Sequence, residues 1–483
     1  MTAHFYGRKR NCYSIAIKHV HRALAYATKG RQLKKRDMKD LWIRRISAGC
    51  TELGSSYEAL VRAIWEPRTF KSLTQIAAAK LRQDPVKGLN DIAAVSNGPQ
   101  TDPIKELLRH FDGEIAAAER QSQTADAVSQ DEQGIRNLIK VGCFRAAANL
   151  CGRLLTACGQ GFGHVGQPSK HTPHTLQLWL TRLTLLKRSN LVETAFNELV
   201  AFGDLDSPDL YFEYYPELSS LKKRGTMVPF SLRLLAAELP AHYNRINEAH
   251  AKLCRLLSTV RRILRDVDQF ASADRMSDDE RKEAVALWSR REISVIQSLI
   301  DCSVLKKDYH NAVQLLKKQL LRHPPTPALH SILGRVYLQI GDVQLAQQSF
   351  NAAALLRDIN KASDVVDSFT DAGLVAIAQN AFVEALSYFQ QALAIQPDDP
   401  VLVNNTAVCL LYVGRMRDGM LLLEENLGTK PDTMIRDETV LNVCTLYELE
   451  SSLTAQRKLG MLRLASQWRN DNLNVASFKL QIP

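Results

Sequence analysis

Small residues recur at a nearly constant interval in the C-terminal half of the chain, and this recurrence constrains the fold more than any other feature. The intervals are 34, 39 and 34 residues, and a larger apolar residue stands four positions after each small one. A period of this length is typical of stacked helical hairpins, in which small residues let paired helices approach and large ones fill the groove to the next helix. We therefore predict an all-α solenoid. The small residues are Ala312, Ala346, Ala385 and Gly419, and the large ones are Leu316, Phe350, Phe389 and Leu423.

Residues that favour turns and helix ends follow the same register, and the combined pattern resembles that of tetratricopeptide repeats. We predict that Gly334 and Gly373 in the first helices face Ala346 and Ala385 in the second helices. Five extra residues near residues 357–365 should loop out between two repeats. The turn residues are Gly341, Asn380 and Gly414, and the helix-ending residues are Pro324, Asp358, Pro397 and Pro431. The residues expected to pack the repeats are Gly334, Ala346, Phe350, Gly373, Ala385, Phe389, Pro397, Ala407 and Pro431.

Changes in composition divide the chain into four parts. We expect a basic helical segment at 1–94, a polar linker at 95–130, irregular helical hairpins at 131–292, and repeats with a C-terminal cap at 293–483. The repeats are expected at 293–326, 327–365, 366–399 and 400–433. A weaker register pairs Gly142 with Ala147 and Trp179 with Ala195, so the solenoid should begin near Ile135. Residues 131–483 should then fold without the rest of the chain, whereas residues 1–94 should not.

The charge of the chain is concentrated at its N-terminus. Residues 1–45 hold thirteen Lys and Arg against two acids, an excess equal to the formal net charge of +11 of the whole chain. A helical segment charged on nearly all sides repels itself unless a polyanion neutralises it, and nucleic acid is the usual one. A solvated surface helix is the alternative.

The residues of this basic segment resemble large-subunit ribosomal protein 20, particularly its mitochondrial form. The resemblance lies in HFYGRKRNCY and in YATKGRQLKKRDMKDLWIRRISAGCTELGSSYEALV, followed by WEPRTFKSL. It implies a long helix threaded through ribosomal RNA, with contacts to phosphates that position the protein without reading sequence. Much of the stretch that should separate the last two segments is missing, so we expect the globular part to be incompletely folded. The residues that the resemblance assigns to ribosomal RNA are Arg8, Lys9, Arg10, Lys34, Lys35, Arg36, Arg44 and Arg45.

The body of the chain resembles the family of subunit 12 of the trafficking protein particle (TRAPP) complex. The segments that carry the resemblance include GRLLTACGQGFG, FGDLDSPDLYFEYYPE, LGRVYLQIGD and NNTAVCLLYVGRMRD. It implies a non-catalytic scaffold that binds other TRAPP subunits. The complex would activate a Rab-family GTPase in ER-to-Golgi and autophagic traffic. It would act peripherally at Golgi or ER–Golgi intermediate membranes. The alternative function, implied by the basic segment, is a structural constituent of the mitochondrial large ribosomal subunit that binds rRNA through residues 1–60.

Cysteine usage and hydropathy indicate the kind of compartment in which the protein works. Nine Cys without any C-x-x-C favour reduced thiols over a disulfide framework or a zinc ribbon. No apolar run is long enough to span a membrane and no signal peptide is recognisable, so we expect a soluble protein that is not secreted by the usual route.

Two motifs within residues 158–174 resemble a cofactor-binding site and a metal-binding site. Residues 161–166 match G-x-G-x-x-G, but a dinucleotide site needs a preceding strand, and here helix is expected before the motif. Cys158, His164, His171 and His174 could be imagined as zinc ligands, although they lack the tight paired spacing of a structural site. We favour a connecting loop without cofactor or metal.

An acidic and aromatic stretch at residues 204–217 leaves two interpretations open. Its aromatic residues fit a helical core, which we favour, but aromatics beside carboxylates also make good partner anchors. Tyr447, Glu448 and Glu450 carry the same ambiguity. We find no nucleophile, general base and orienting group close together in the sequence, and we therefore predict that the chain is not an enzyme. The possible partner-binding residues are Tyr211, Phe212, Tyr214 and Tyr215.

Overall fold

A computed structural model describes residues 100–480 except 121, 162–170, 216–224, 272–277, 323, 451–452 and 469. The chain divides into two units, Met1–Ile76 and Ala77–Pro483, and the first unit lies wholly outside the described residues. The expected basic helix, with its rRNA-binding residues, therefore also lies outside them. In the described part the all-α prediction is confirmed, since an isolated bridge between Tyr211 and Thr226 is the only extended pairing. None of these helices is both long and apolar enough to cross a bilayer.

Nineteen α-helices, numbered in chain order, make up the described body. The upstream helices are α1 Pro103–Phe111, α2 Gly113–Glu119, α3 Glu132–Val141, α4 Phe144–Ala157, α5 Pro173–Arg188, α6 Val192–Ala201, α7 Phe230–His242, α8 Ile246–Ala271 and α9 Asp278–Leu305. The downstream helices are α10 Tyr309–Arg322, α11 Pro327–Ile340, α12 Val343–Leu356, α13 Ala362–Ala378, α14 Phe382–Ile395, α15 Pro400–Tyr412, α16 Met416–Thr429, α17 Pro431–Met434, α18 Asp437–Glu450 and α19 Thr454–Ser466. Short 3₁₀ turns occur at Ala125–Ala127, Pro208–Leu210, Phe212–Tyr214 and Val475–Phe478.

One turn geometry joins the two helices of seven successive hairpins, from α3–α4 to α15–α16. In each turn a single residue adopts the left-handed conformation, with φ between 58° and 91°. The residue that follows donates its N–H to the carbonyl five positions earlier, at 2.8–3.0 Å. This is the Schellman arrangement, which satisfies a carbonyl that the helix end would leave unpaired. The left-handed residues are Gly142, Asn190, Asn244, Lys307, Gly341, Asn380 and Gly414.

Each of these turn residues is followed five positions later by a small buried residue, so the hairpins share one packing scheme. The hairpins that we predicted to be irregular, at 131–292, differ from the later repeats in their spacing but share this turn. The upstream turn residues are spaced 48, 54 and 63 positions apart, because long loops and the long helices α8 and α9 lie between them. The small residues are Ala147, Ala195, Ala249, Ala312, Ala346, Ala385 and Gly419.

The core is a succession of apolar clusters and not a single centre. One cluster joins α3 to α7, a second joins α7 to α12, and a third joins α13 to α15. A fourth gathers α15, α16, α18 and α19. This serial arrangement is typical of a solenoid, in which each hairpin buries its faces on its neighbours.

The expected linker at 95–130 is wrong over much of its length, because it contains α1 and α2. Ile104, Leu107 and Leu108 of α1 are buried in the fourth cluster, together with Ala465 of α19 and Phe478 near the C-terminus. Three apolar residues at helical spacing suffice to dock a short helix when a complementary surface exists. A fragment starting at residue 131 would expose this surface, so the independently folding unit should instead begin near residue 100.

Arg120, directly after α2, fastens this helical pair to the end of α19. Its guanidinium is buried, pairs with Asp102 at 2.6 Å, and donates to four main-chain carbonyls between Ala465 and Asn470 at 2.8–3.4 Å. A cation at a helix C-terminus satisfies orphan carbonyls and interacts favourably with the helix dipole. Residues far apart in sequence are thereby tied together.

Asp471 makes a second long-range tie, from the C-terminal segment to the first hairpin. Its carboxylate accepts the main-chain N–H groups of Arg145 and Ala146, at 3.2 and 2.9 Å, at the start of α4. Burial raises the pKa of Asp471 to about 6, although these two hydrogen bonds act in the opposite direction. The first hairpin and the C-terminal segment are therefore in direct contact.

Candidate interaction surfaces

Two glycines in the repeat region lie directly under aromatic rings. A Cβ atom at Gly334 would come within 2.6 Å of the Phe350 ring, and one at Gly373 within 2.7 Å of the Phe389 ring. Glycine is thus required because a Phe ring, four residues beyond Ala346 or Ala385, lies against the glycine main chain. We had expected the alanine itself to make this contact. The two helices of each of these repeats therefore pack with a Phe ring directly against the main chain at the glycine.

The other residues of the packing set differ in what they do. Ala407 is buried, and its carbonyl oxygen would lie 2.9 Å from a Cβ atom at Gly419. Pro431 is buried and begins α17. Pro397 is exposed just after the end of α14, so its assignment to the packing set is wrong, although its position after a helix end fits a helix-ending role.

A buried ion pair that sequence reasoning missed joins α5 to α6. The Arg182 guanidinium binds the Glu198 carboxylate through Nε and Nη2, at 2.6–3.1 Å, and both side chains are buried. Its Nη1 donates to the Ala148 carbonyl oxygen of α4 at 2.7 Å. Gly152 makes room, because a Cβ atom there would lie 2.6 Å from Nη1. The pair therefore ties three helices of two adjacent hairpins.

The candidate zinc and dinucleotide loop is anchored in the core at its ends. The Gln160 side chain accepts the Trp179 indole N–H at 3.0 Å, and the His171 N–H donates to the Tyr215 hydroxyl at 3.0 Å. Burial lowers the pKa of His171, whose Nε2 lies 3.7 Å from an Asp209 carboxylate oxygen. These contacts hold the described residues on either side of 162–170 in the core.

Three of the four residues considered as zinc ligands lie in the described part of the chain. Cys158 and His174 are exposed, His171 is buried, and His164 lies outside the described residues, as does Gly163. Within the described ranges, no group of three or more His, Cys, Asp or Glu is placed to hold a metal ion.

The aromatic residues of the acidic stretch pack inward. Tyr211 is only 3% exposed, so its assignment as a partner anchor is wrong. Phe212 and Tyr215 are half-buried against the first cluster, and Tyr214 packs edge-to-face on Tyr215 at 5.0 Å. Their main contacts are within the chain.

The residues near the C-terminal end of the repeats also have internal partners. The Tyr447 hydroxyl donates to Glu424 at 2.7 Å and is buried, and Glu448 pairs with Lys458 at 2.6 Å. Glu450 pairs with Arg417 at 3.5 Å. These groups stabilise the stacking of α16, α18 and α19.

Exposed apolar side chains mark one edge of the repeats. Leu321 and Leu355 occupy equivalent positions 34 residues apart, near the ends of α10 and α12, and are 86% and 88% exposed. Ile359, in the inserted loop after α12, is 87% exposed. The base of this loop is held by Arg357, whose buried guanidinium binds the buried Asp371 carboxylate at 2.7 Å. Because Leu321 and Leu355 are highly exposed at equivalent repeat positions, they are candidate contacts for a partner protein.

The fold and these surfaces define a helical-repeat protein of the tetratricopeptide type. The sequence model of the family described as Ribosomal protein L20 matches residues 1–76. Large ribosomal subunit protein bL20m of Xenopus laevis is 38% identical over 118 residues, covering 21% of this chain and 75% of the relative. The chain thus belongs to the ribosomal protein L20 family through its N-terminal segment.

The body is similar to trafficking protein particle complex subunit 12. The Mus musculus protein is 37% identical over 393 residues, which covers 79% of this chain and 48% of the relative. The Homo sapiens protein is also 37% identical, with 52% of its length covered. The chain therefore spans about half the length of these relatives. Both resemblances drawn from the sequence are confirmed, and the chain joins the two kinds of segment in one fusion.

Solved structures matched to this chain share little sequence with it and have low TM-scores. A chain of the APC/C hetero-tetramer Cut9-Hcn1 is 12% identical, with a TM-score of 0.32, covering 80% of this chain and 58% of that one. The apo form of the quorum sensor NprR from B. thuringiensis is 12% identical with a TM-score of 0.35, covering 81% of this chain and 98% of that one.

Proposed function

We propose that the body is a non-catalytic scaffold subunit of a TRAPP-type vesicle-tethering complex. In this proposal other subunits catalyse nucleotide exchange on a Rab-family GTPase, in ER-to-Golgi and autophagic traffic at Golgi or ER–Golgi intermediate membranes. The observation that carries the proposal is the 37% identity to subunit 12 along 393 residues. A solenoid of seven similar hairpins supplies the long surface that such a scaffold needs.

The placement of polar residues supports a scaffold and not an active site. Arg182 with Glu198, Arg120 with Asp102, and the Asp371 carboxylate all join helices of the chain to one another. Burial raises the pKa of the Cys143 and Cys444 thiols to about 11, which keeps them protonated and unreactive near neutral pH.

We expect an affinity-tagged full-length chain, expressed in human cells, to co-purify with other TRAPP subunits. Replacing both Leu321 and Leu355 with Asp should reduce this co-purification severalfold, because charges would replace the apolar edge. Ile115→Asp, which alters a similarly exposed apolar residue on α2, is the matched control and should co-purify as the unmodified chain does. Absence of TRAPP subunits from the unmodified sample would contradict the proposal. Equal recovery with the double variant would contradict the role of this edge.

A second candidate function rests on the N-terminal charge and the family match. We propose that residues 1–60 bind ribosomal RNA, which would suit a constituent of the mitochondrial large ribosomal subunit. The thirteen cations of residues 1–45 support a sequence-independent phosphate interaction.

RNA binding by the full chain should weaken steeply as salt rises, because each neutralised phosphate contributes about −0.7 to −0.9 to the slope of log K against log salt. Replacing the three cations at positions 34–36 with Gln should reduce the magnitude of that slope by about 2 to 3. The matched control replaces Lys306, Lys307 and Lys318 of the body with Gln and should leave the slope unchanged. Filter binding to a structured rRNA fragment measures both slopes. A salt-independent affinity, or equal slopes for the two triple variants, would reject this function.

A further inference from the structure

A cavity of about 330 Å³ lies where α5, α7, α8 and α9 meet. One part of its lining is polar and the other is apolar. The apolar part includes Leu253, Val304 and Leu305, and Leu305 is 48% exposed. The polar part consists of Lys187, Glu238, His242, Ser298 and Asp301.

The charges on the α5 and α7 side of the cavity cancel. Lys187 Nζ binds Glu238 Oε2 at 2.9 Å, and the Ser298 hydroxyl donates to Glu238 Oε1. Both carboxylate oxygens of Glu238 are therefore occupied. Burial lowers the pKa of His242 and the nearby Lys187 lowers it further, so this imidazole is neutral near pH 7.

Asp301 adds a second carboxylate to a lining that holds one Lys, and among the described residues it pairs with no cation directly. It forms no hydrogen bond or ion pair with any residue in the described ranges, and its side chain remains accessible. Burial, reinforced by the negative charge of Glu238, raises its pKa, whereas Lys187 acts in the opposite direction. Asp301 and Leu305 are one helical turn apart on α9, so a carboxylate and an apolar surface lie next to each other.

We propose that this cavity binds the alkyl cation of an Arg or Lys side chain presented by a partner protein. The cationic head would pair with Asp301, and the methylene stem would lie along Val304 and Leu305, as such stems do on apolar surfaces. Binding of such a side chain would not depend on which complex the solenoid joins.

Other ligand classes fit the lining less well. An anion would meet the unpaired Asp301 carboxylate, while Lys187, the one Lys or Arg among the described lining residues, is already paired with Glu238. A wholly apolar ligand would cover Asp301 without giving it a partner, which is unfavourable. The cavity volume lies at the lower end of the range for small-ligand pockets, as a single side chain requires.

The test uses the full-length chain with methyl-labelled Leu and Val, and N-acetyl-L-arginine amide as the probe. N-acetyl-L-citrulline amide is the matched neutral probe, because its urea group has nearly the shape of a guanidinium. We expect the arginine probe to shift the methyl resonances of Val304 and Leu305 in a saturable way. It should bind about fivefold or more tightly than the citrulline probe, as a partly shielded ion pair permits.

Asp301→Asn should abolish the preference for the arginine probe, since the amide carries no charge. Asp367→Asn, on an exposed face of α13, is the control and should preserve the preference. Equal binding of the two probes, no shift at either methyl group, or a preference that survives Asp301→Asn would each overturn the proposal.

Discussion

Replacing Ala385 with Glu is expected to open the hairpin of α13 and α14 and to destabilise the protein by about 3 kcal/mol or more. Ala385 is fully buried in the cluster that contains Phe389. A Glu side chain there would place an unpaired carboxylate and extra volume between packed helices, and both effects are unfavourable. Chemical denaturation followed by circular dichroism measures the loss.

The same substitution at Ala394 is the matched control. Ala394 lies on the same helix, α14, but is exposed, so Ala394→Glu should change the stability by no more than about 0.5 kcal/mol. Because stability in a solenoid passes through neighbouring hairpins, only Ala385→Glu should also lose co-purification with TRAPP subunits. If both variants were equally stable and assembled equally well, the packing account of the repeats would be refuted.

Replacing Arg182 with Met is expected to reduce the stability by about 3–5 kcal/mol, because it leaves the buried Glu198 carboxylate without its cation. It also removes the donor to the Ala148 carbonyl oxygen, so a second buried acceptor loses its partner. The free energy of unfolding in urea, measured near pH 7, gives the size of the effect.

Two further variants separate the loss of the ion pair from the loss of side-chain volume. Combining Arg182→Met with Glu198→Leu should recover much of the stability, since no buried charge then remains unpaired. Arg136→Met removes an exposed pair with Glu132 and should cost less than about 1 kcal/mol. An Arg182→Met protein as stable as Arg136→Met would mean that the buried pair contributes nothing to the fold.

Long-range contacts account for most of what sequence reasoning missed. The Arg182 and Glu198 side chains belong to different helices, and nothing in their local sequence marks them as partners. The residues that line the proposed cation cavity come from four helices between Lys187 and Leu305. The docking of α1 depends on a surface formed by α19, more than 300 residues further along the chain.

The all-α class, the recurrence of small residues beyond residue 293 and the two family resemblances could all be read from the sequence. The recurrence is visible there because repeats of nearly equal length return each buried position to the same phase, as Ala312, Ala346 and Ala385 show. The common turn of the three upstream hairpins became visible in the three-dimensional structure, because variable loops and longer helices hide their period while leaving each Schellman turn intact. That structure also showed that α1 and α2 belong to the body, because a short amphipathic helix is stable only where a complementary surface buries its apolar face.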